Sequence, residues 1–429
     1  MKKIIIITIL LFASVNLKAE DNLIFYIDKA LKNNLQLNAE RENFKSAKQS
    51  KNISRSEFFP SIILSGDQTS STSTNRKNQN GTSLSDSNQD SENKTLSVEQ
   101  KIFSGFKGIN TFKKTELETQ KANLKLKQVE QQTILITASA YFDLIFKSKN
   151  KKFNLQNVNL FERQTESDSA RLQKGEITLT DLAQSESSLA GAKANLINAQ
   201  TELLVSNTNF ERVTGEKAPN IENVPEKIVL ILPNSLDASL ELANLNNTSL
   251  LISKLEYQIS IKNLNIEKAR LSPSASINYS KSENKDYSST IDEIDQQSIK
   301  ATITWPIIKG GENISSIKKS TFEKQRSQLI LQDTKNKIIT DTLNSWSKYQ
   351  SSKSILEATR AQLKAAEIAN EGITLEYDSS NTRTTLELIQ TRSLLLDSKI
   401  AFAKSERDFL VSQFELAKQI GTLSPKSLK

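Results

Sequence analysis

An internally duplicated α+β membrane protein, in which very long helices carry four short strands, is the fold class the sequence predicts. The first observation behind it is self-similarity: Asn33-Asn34 and Phe59-Pro60-Ser61 align with Asn246-Asn247 and Ser272-Pro273-Ser274 at an offset of 213. Gly105, Thr178 and Gly215 likewise align with Gly310, Thr384 and Gly421 at offsets of 205 or 206. The second is that residues 109–174 and 312–371 contain neither Gly nor Pro, so nothing in them breaks a helix about 90–100 Å long at 1.5 Å per residue. The third is period-2 alternation in four segments, which places one set of side chains on one face of a strand.

The chain begins with Lys2 and Lys3, an apolar run from Ile4 to Val15, and Ala19 at a cut before Glu20. This pattern predicts a secretory signal peptide over 1–19, its apolar core being too short for the roughly 20 residues of a spanning helix. No Cys follows, so a lipid anchor is not expected. The first repeat is then 20–215, a linker with Pro219, Pro225 and Pro233 occupies 216–237, the second repeat is 238–421, and 422–429 is a tail. Each repeat reads as a helix, two strands, a long helix, a turn and a last helix.

The strands are marked by Ile62 and Leu64; by Leu96, Val98 and Ile102; by Ala275, Ile277 and Tyr279; and by Ile299, Ala301, Ile303 and Trp305. Each segment is about the 9–11 residues of a tilted transmembrane strand. Polar stretches at 69–93 and 281–295 are expected as external loops. Four strands cannot close a membrane barrel, which needs at least eight and tolerates no open edge. Two, three or four chains would supply 8, 12 or 16 strands, and the strands alone do not choose.

The last helix of each repeat carries a strict heptad. Leu182, Leu189, Leu196, Leu203 and Phe210 are followed three residues on, for the first four, by Ser185, Ala192, Ala199 and Ser206. Leu388, Leu395, Phe402, Phe409 and Leu416 repeat this with Thr391, Ser398, Ser405 and Ser412. Such heptads demand coiled-coil packing, and the large-small alternation lets helices interdigitate closely.

Composition narrows the function. Hydrophobic residues are 36% of the chain, which excludes a polytopic helical membrane protein. The absence of Cys and His excludes thiol nucleophiles, disulfides, Ser-His-Asp triads and the usual zinc sites. An enzyme, a cofactor and a bound metal are therefore not expected, and a carboxylate-pair glycosidase would need a compact pocket that helices this long leave little sequence to build. Net charge is +8, or +5 once Lys2, Lys3 and Lys18 leave with residues 1–19, and it is dispersed, so no nucleic-acid partner is expected.

The arrangement resembles the outer-membrane efflux protein family, the TolC-like exit ducts. Asn22-Leu23 is similar to the family's mature start, and Phe59-Pro60-Ser61 to the entry into its first strand. Gln100-Lys101-Ile102-Phe103-Ser104-Gly105 resembles the exit of the second strand, and Trp305-Pro306-Ile307-Ile308-Lys309-Gly310-Gly311 the strand-to-helix turn. Thr137-Ala138-x-Ala140-Tyr141-Phe142 is similar to the long-helix signature. Arg171-Leu172-x-x-Gly175 to Thr180-Asp181-Leu182, and Glu376-Tyr377 to Thr382-Arg383-Thr384-Thr385-Leu386-Glu387-Leu388, resemble the two periplasmic turns. The resemblance covers essentially the whole mature chain.

It implies a homotrimer in which a 12-stranded β-barrel, seated in outer-membrane lipid of a Gram-negative bacterium, continues as a long α-helical barrel into the periplasm. It further implies an exit duct for efflux or type I secretion, working with a periplasmic adaptor and an inner-membrane RND or ABC transporter and opened at its helix tips. The alternative is a structural or adhesive coiled-coil surface protein capped by hairpins. By resemblance, Asp181, Tyr377 and Arg383 form the gate network, where a carboxylate near a phenol and a guanidinium makes charge-assisted hydrogen bonds. Glu387 and Gln390 hold the pore-constriction positions, and Lys174, Gly175, Glu176, Ser380, Asn381 and Thr382 are the adaptor contacts. The second turn is one residue longer than the family spacing and lacks Gly, so Asn381 is expected to take the left-handed place. Independently of the resemblance, Thr178-x-x-Asp181 and Thr384-x-x-Glu387 are capping-box patterns that start helices.

Overall fold

The computed structural model of the chain describes residues 23–219, 230–288, 291–380 and 383–428. The expected signal peptide lies outside the described residues, as do residues 220–229 of the linker.

The first repeat runs α1 (Leu23–Asn33), α2 (Leu35–Arg55), β1 (Ser61–Ser73), β2 (Ser87–Ser104), α3 (Lys107–Gln173) and α4 (Leu179–Thr214). The second runs α5 (Leu236–Asn246), α6 (Thr248–Ala269), β3 (Ser274–Ser288), β4 (Ile291–Thr304), α7 (Glu312–Ser380) and α8 (Thr385–Gln419). The element order is thus repeated in full. Helices α3 and α7 have 67 and 69 residues, and α7 runs straight through Gly372.

Where the sequence predicts one opening helix per repeat, the structure has two, broken at the aligned asparagines. Asn34 Oδ1 accepts from the N–H of Leu37 at 2.8 Å, so this side chain caps a new helix. At the second break Asn247 is extended (φ −60°, ψ 119°) and its side-chain amide donates to Gln419 O at 2.8 Å. The aligned glycines serve the same breaks. Gly421 has φ +75°, and a Cβ on it would lie 2.2 Å from Asn246 O; Gly215 has φ +72° and rests against Asn33 Nδ2, 3.0 Å from where its Cβ would be. One contact, a left-handed glycine after the last helix lying on the asparagine that ends the opening helix, is therefore made twice, and it explains four of the residues through which the chain matches itself.

Two compact units divide the chain: Met1–Asn38 with Val129–Asn247 and Ile338–Lys429, and Ala39–Gln128 with Thr248–Lys337. The first holds the larger apolar core. Thr137, Ala138, Ala140, Tyr141 and Phe142 are all buried on α3. Tyr26 of α1 meets Phe210 of α4 edge-on with ring centroids 4.9 Å apart, and Phe142 meets Phe414 of α8 at 5.9 Å. Full burial of side chains this size stabilises by about 1.5–3 kcal/mol each.

In the second unit the four strands form one antiparallel sheet in the order β1-β2-β3-β4. Ile62, Val98, Tyr279 and Ile299 are mutual partners across all four strands, flanked by the pairs Leu64–Leu96, Ile277–Ala301 and Ala275–Ile303. The opposite face carries Ser65, Thr95, Ser282 and Gln296 in one row and Glu99, Asn278 and Lys300 in another. Around the Ile62–Ile299 row one face thus carries an apolar band, bounded by Lys281 and Gln297 in the row of Leu64 and Leu96, while the other face is polar apart from Ile63; the apolar band is bare in the single chain, with Ile62 at 69% and Ile299 at 78% exposure.

Two strand expectations are corrected. Strict alternation places Ile102 in the apolar row, but a bulge between Lys101 and Phe103 leaves Ile102 without a partner and sets Phe103 opposite Ala275. The strands also reach 13 to 18 residues and run into the polar stretches read as loops, with pairs such as Ser70–Asp90 and Asn284–Ile294. The backbone ladder of a hairpin does not require apolar side chains, so pairing continues past the apolar band. Among the described residues no helix is long and apolar enough to cross a membrane.

Candidate functional site

Two long helical hairpins, α3–α4 and α7–α8, have their turns in the first unit, and these turns hold the positions that resemblance assigns to the gate and the adaptor. Small residues of each heptad are buried along the seam: Ser185, Ala192 and Ala199 on α4, and Ser398, Ser405 and Ser412 on α8. On α7 the answering positions are also seven apart. Ser352 Oγ lies 2.8 Å from Ser412 Oγ and Thr359 Oγ1 lies 2.7 Å from Ser405 Oγ, so hydroxyl pairs stitch this hairpin. On α3 the corresponding series is Asn154, Phe161 and Asp168, all buried, with Phe161 in the same cluster as Ala192.

Asp168 thus places a carboxyl group on a helix seam, where it is wholly buried. Its environment is built of donors. Tyr377 O–H donates to Oδ1 at 2.9 Å, Gln164 Nε2 donates to the same oxygen at 2.9 Å, and Ser185 Oγ donates to Oδ2 at 2.5 Å. Tyr377 is further held by Thr385 Oγ1 at 3.3 Å and by the Arg171 guanidinium stacked 4.8 Å from its ring centre. Arg392 Nη1 donates to Gln164 Oε1 at 3.0 Å. One buried group therefore ties α3, α4, α7 and α8 together just above the turns. Burial pushes the Tyr377 hydroxyl up, with the Asp168 carboxyl adding to this against the bond from Thr385, so the phenol stays protonated as a donor.

Of the three residues assigned to the gate by resemblance, only Tyr377 is in this network. Asp181 closes the capping box of α4: its Oδ2 accepts from Thr178 N at 2.9 Å and from Thr178 Oγ1 at 2.7 Å. These bonds hold its carboxyl below the usual range. Arg383 pairs with Glu376 at 2.6 Å and with Glu387 at 3.4 Å. Within one chain Asp181, Tyr377 and Arg383 are not brought together. Asp168 is not among the residues that the sequence singles out, because the heptads are plain only on α4 and α8; extending the seam to α3 puts Asp168 seven residues beyond Phe161, a charge where the spacing demands core.

Of the two residues assigned to the constriction by resemblance, Glu387 caps α8, its Oε2 accepting from Thr384 N at 2.9 Å and Thr384 Oγ1 at 3.1 Å. The Thr384 N–H and hydroxyl, aided by Arg383, hold this carboxyl below its usual range. Gln390 is exposed. At the first turn Lys174, Gly175 and Glu176 are exposed, Gly175 has φ +74°, and Arg171 Nε reaches Glu176 at 3.3 Å. Ser380 is the last residue of α7, while Asn381 and Thr382, including the left-handed role expected of Asn381, lie outside the described residues. Among the described residues no group of His, Cys, Asp and Glu is arranged to hold a metal.

Comparison with known proteins agrees with this architecture. The profile of the family described as "Outer membrane efflux protein" matches residues 26–216 and 239–422, once in each repeat. Outer membrane efflux protein BepC of Brucella suis is 23% identical over 405 residues, 93% of this chain and 85% of BepC. Outer membrane protein TolC of Escherichia coli is 22% identical over 453 residues, 100% of this chain and 88% of TolC. The crystal structure of the Campylobacter jejuni CmeC outer membrane channel superposes with a TM-score of 0.83 at 15% identity, over 94% of this chain and 86% of that one. With the duplicated order, the four-stranded sheet and the paired helical hairpins, these matches make the chain a member of the outer membrane efflux protein family, an outer-membrane efflux or secretion channel of TolC type.

Proposed function

We propose that three copies of the chain close a 12-stranded barrel and act as a passive exit duct, fed by an inner-membrane RND or ABC transporter through a periplasmic adaptor. The observation that carries this reading is the sheet. Strands β1 and β4 each pair on one side only, and an apolar face bounded by two unpaired edges is stable in a bilayer only if neighbouring copies complete the ladder. The alternative, a coiled-coil surface protein, gives no reason for an exposed apolar sheet face.

The duct opens at the hairpin tips. Tyr377 and Asp168 hold the tip within one protomer, and the proposed gate roles of Asp181 and Arg383 fall between protomers. Both bonds to Asp181 use Oδ2, which leaves Oδ1 to accept from a neighbouring copy. Glu387, three times in the assembly, forms an acidic ring beside an uncharged ring of Gln390, and Arg383 offsets part of its charge. Lys174, Gly175, Glu176, Ser380, Asn381 and Thr382 form the surface offered to the adaptor.

Reconstitution into a planar bilayer tests the duct, which predicts ion-conducting steps from the wild-type protein; a protein that inserts and never conducts contradicts it. The adaptor surface is tested by photo-crosslinking from positions 174 and 176 in cells, against position 204 on the exposed flank of α4 as a control. Adaptor adducts from the turn alone support the assignment, and equal labelling from all three positions removes it.

A further inference from the structure

We propose that the groove bounded by α3, α7 and α8 in the first unit binds a small lipophilic organic anion that also carries a hydrogen-bond donor. The groove encloses about 330 Å³, the lower end of the range of ligand pockets, and is walled in part by Phe153, Leu160 and Leu395. Arg163, Arg392 and Lys399 also line it, and none of the described residues lining it is acidic. Three cations gathered on one apolar surface raise each other's free energy, and an anion placed among them relieves this. The nearby carboxylate of Glu162 on α3 is turned to Lys193, at 3.2 Å.

A second observation points to the same site. Asn370 lines the groove, and its Oδ1 is buried with no hydrogen-bond partner. A buried acceptor without a donor is costly, and it is satisfied by a ligand that brings an O–H or N–H to it. The chemistry is then defined in three parts: a carboxylate or sulfonate for Arg163 and Lys399, a flat or branched apolar body for Phe153, Leu160 and Leu395, and a hydroxyl or amine directed at Asn370. Arg392 also donates to Gln164 at 3.0 Å, so the groove sits one hydrogen bond from the network around Asp168. The assignment uses only residues of one unit of one chain, so it stands or falls apart from the duct.

The test uses the full chain in lipid nanodiscs and 6-hydroxy-2-naphthoate, which has all three features, followed by saturation-transfer difference NMR. The expected result is saturable binding that weakens at least tenfold in R163Q/K399Q and is retained in R163K/K399R. The uncharged 2-naphthol binds at least tenfold more weakly to the wild-type protein. Asn370→Leu brings 6-hydroxy-2-naphthoate to the affinity of 2-naphthoate, which lacks the hydroxyl. Absence of saturable binding, or equal binding by wild type and R163Q/K399Q, overturns the proposal. If binding is absent and R163Q/K399Q sheds subunits, the cations face a carboxylate of a second copy of this chain instead.

Discussion

Replacing Tyr377 by Phe removes one oxygen atom from the buried polar network above the turns. The ring, and the stacking of Arg171 on it at 4.8 Å, are kept. What is lost is chiefly the 2.9 Å hydrogen bond to Asp168, one of three that the carboxyl group accepts, together with the longer contacts of the hydroxyl with Gln164 Nε2 at 3.2 Å and Thr385 Oγ1 at 3.3 Å. A hydrogen bond to a carboxylate contributes about 1.5–3 kcal/mol, and a buried acceptor deprived of a donor pays its desolvation in full. If the bond exists only with α7 seated against α3, the open-to-closed ratio rises about 10- to 150-fold, since 1.4 kcal/mol is tenfold. Single-channel recording in planar bilayers reads this directly as open fraction at fixed voltage. Asp168→Asn moves it further in the same direction, because its amide turns an N–H toward a donor. An open fraction for Tyr377→Phe within about twofold of wild type refutes the reasoning, since it means that the bond survives opening or was never part of closure.

Other perturbations separate the remaining parts of the account. Gly421→Ala puts a Cβ 2.2 Å from Asn246 O at φ +75°, whereas Gly175→Ala meets nothing within 4 Å at φ +74°; urea unfolding will show more than 3 kcal/mol lost for the first and about 1–2 kcal/mol for the second. Thr384→Ala costs about 1 kcal/mol of helix stability, measured as faster hydrogen exchange confined to the first turn of α8. Asp181 and Glu387 are both held below the usual carboxylate range by their caps. Their stabilisation is therefore complete above about pH 5 and lost as pH falls through the lowered values, and Thr178→Ala or Thr384→Ala moves that loss to higher pH in an acid titration of tip exchange. Ile299→Arg, on the apolar face, costs about 2–4 kcal/mol of barrel stability in urea, while Ser298→Arg, on the polar face, is tolerated.

Features with a strong local cause were legible in the sequence. The two long helices follow from the absence of Gly and Pro, and the capping boxes at Thr178 and Thr384 from their spacing alone. The apolar sheet face follows from period-2 alternation, up to the point where the bulge at Ile102 shifts the register, because a single inserted residue leaves no mark in composition. The break of the opening helix was written in Asn33-Asn34 and Asn246-Asn247, yet these read only as points of alignment until their contacts with Gly215 and Gly421 were seen. The buried network above the turns was legible only in part, through Tyr377. Resemblance pointed to Asp181, whose carboxyl is engaged by its own cap, while the buried carboxyl of Asp168 was hidden in a polar stretch, Glu166-Ser167-Asp168-Ser169. Only the pairing of α3 with α4 and α7 gives that residue its surroundings, and pairing between distant helices is not a local property of sequence.

The claim on which the rest depends is that copies of this chain complete one barrel. The mass of the particle extracted from outer membranes in mild detergent, measured by native mass spectrometry, tests it most directly. Three chain masses in one detergent-bound particle are predicted, giving twelve strands and no open edge. A monomer that stays dissolved without detergent would contradict the barrel and with it the duct.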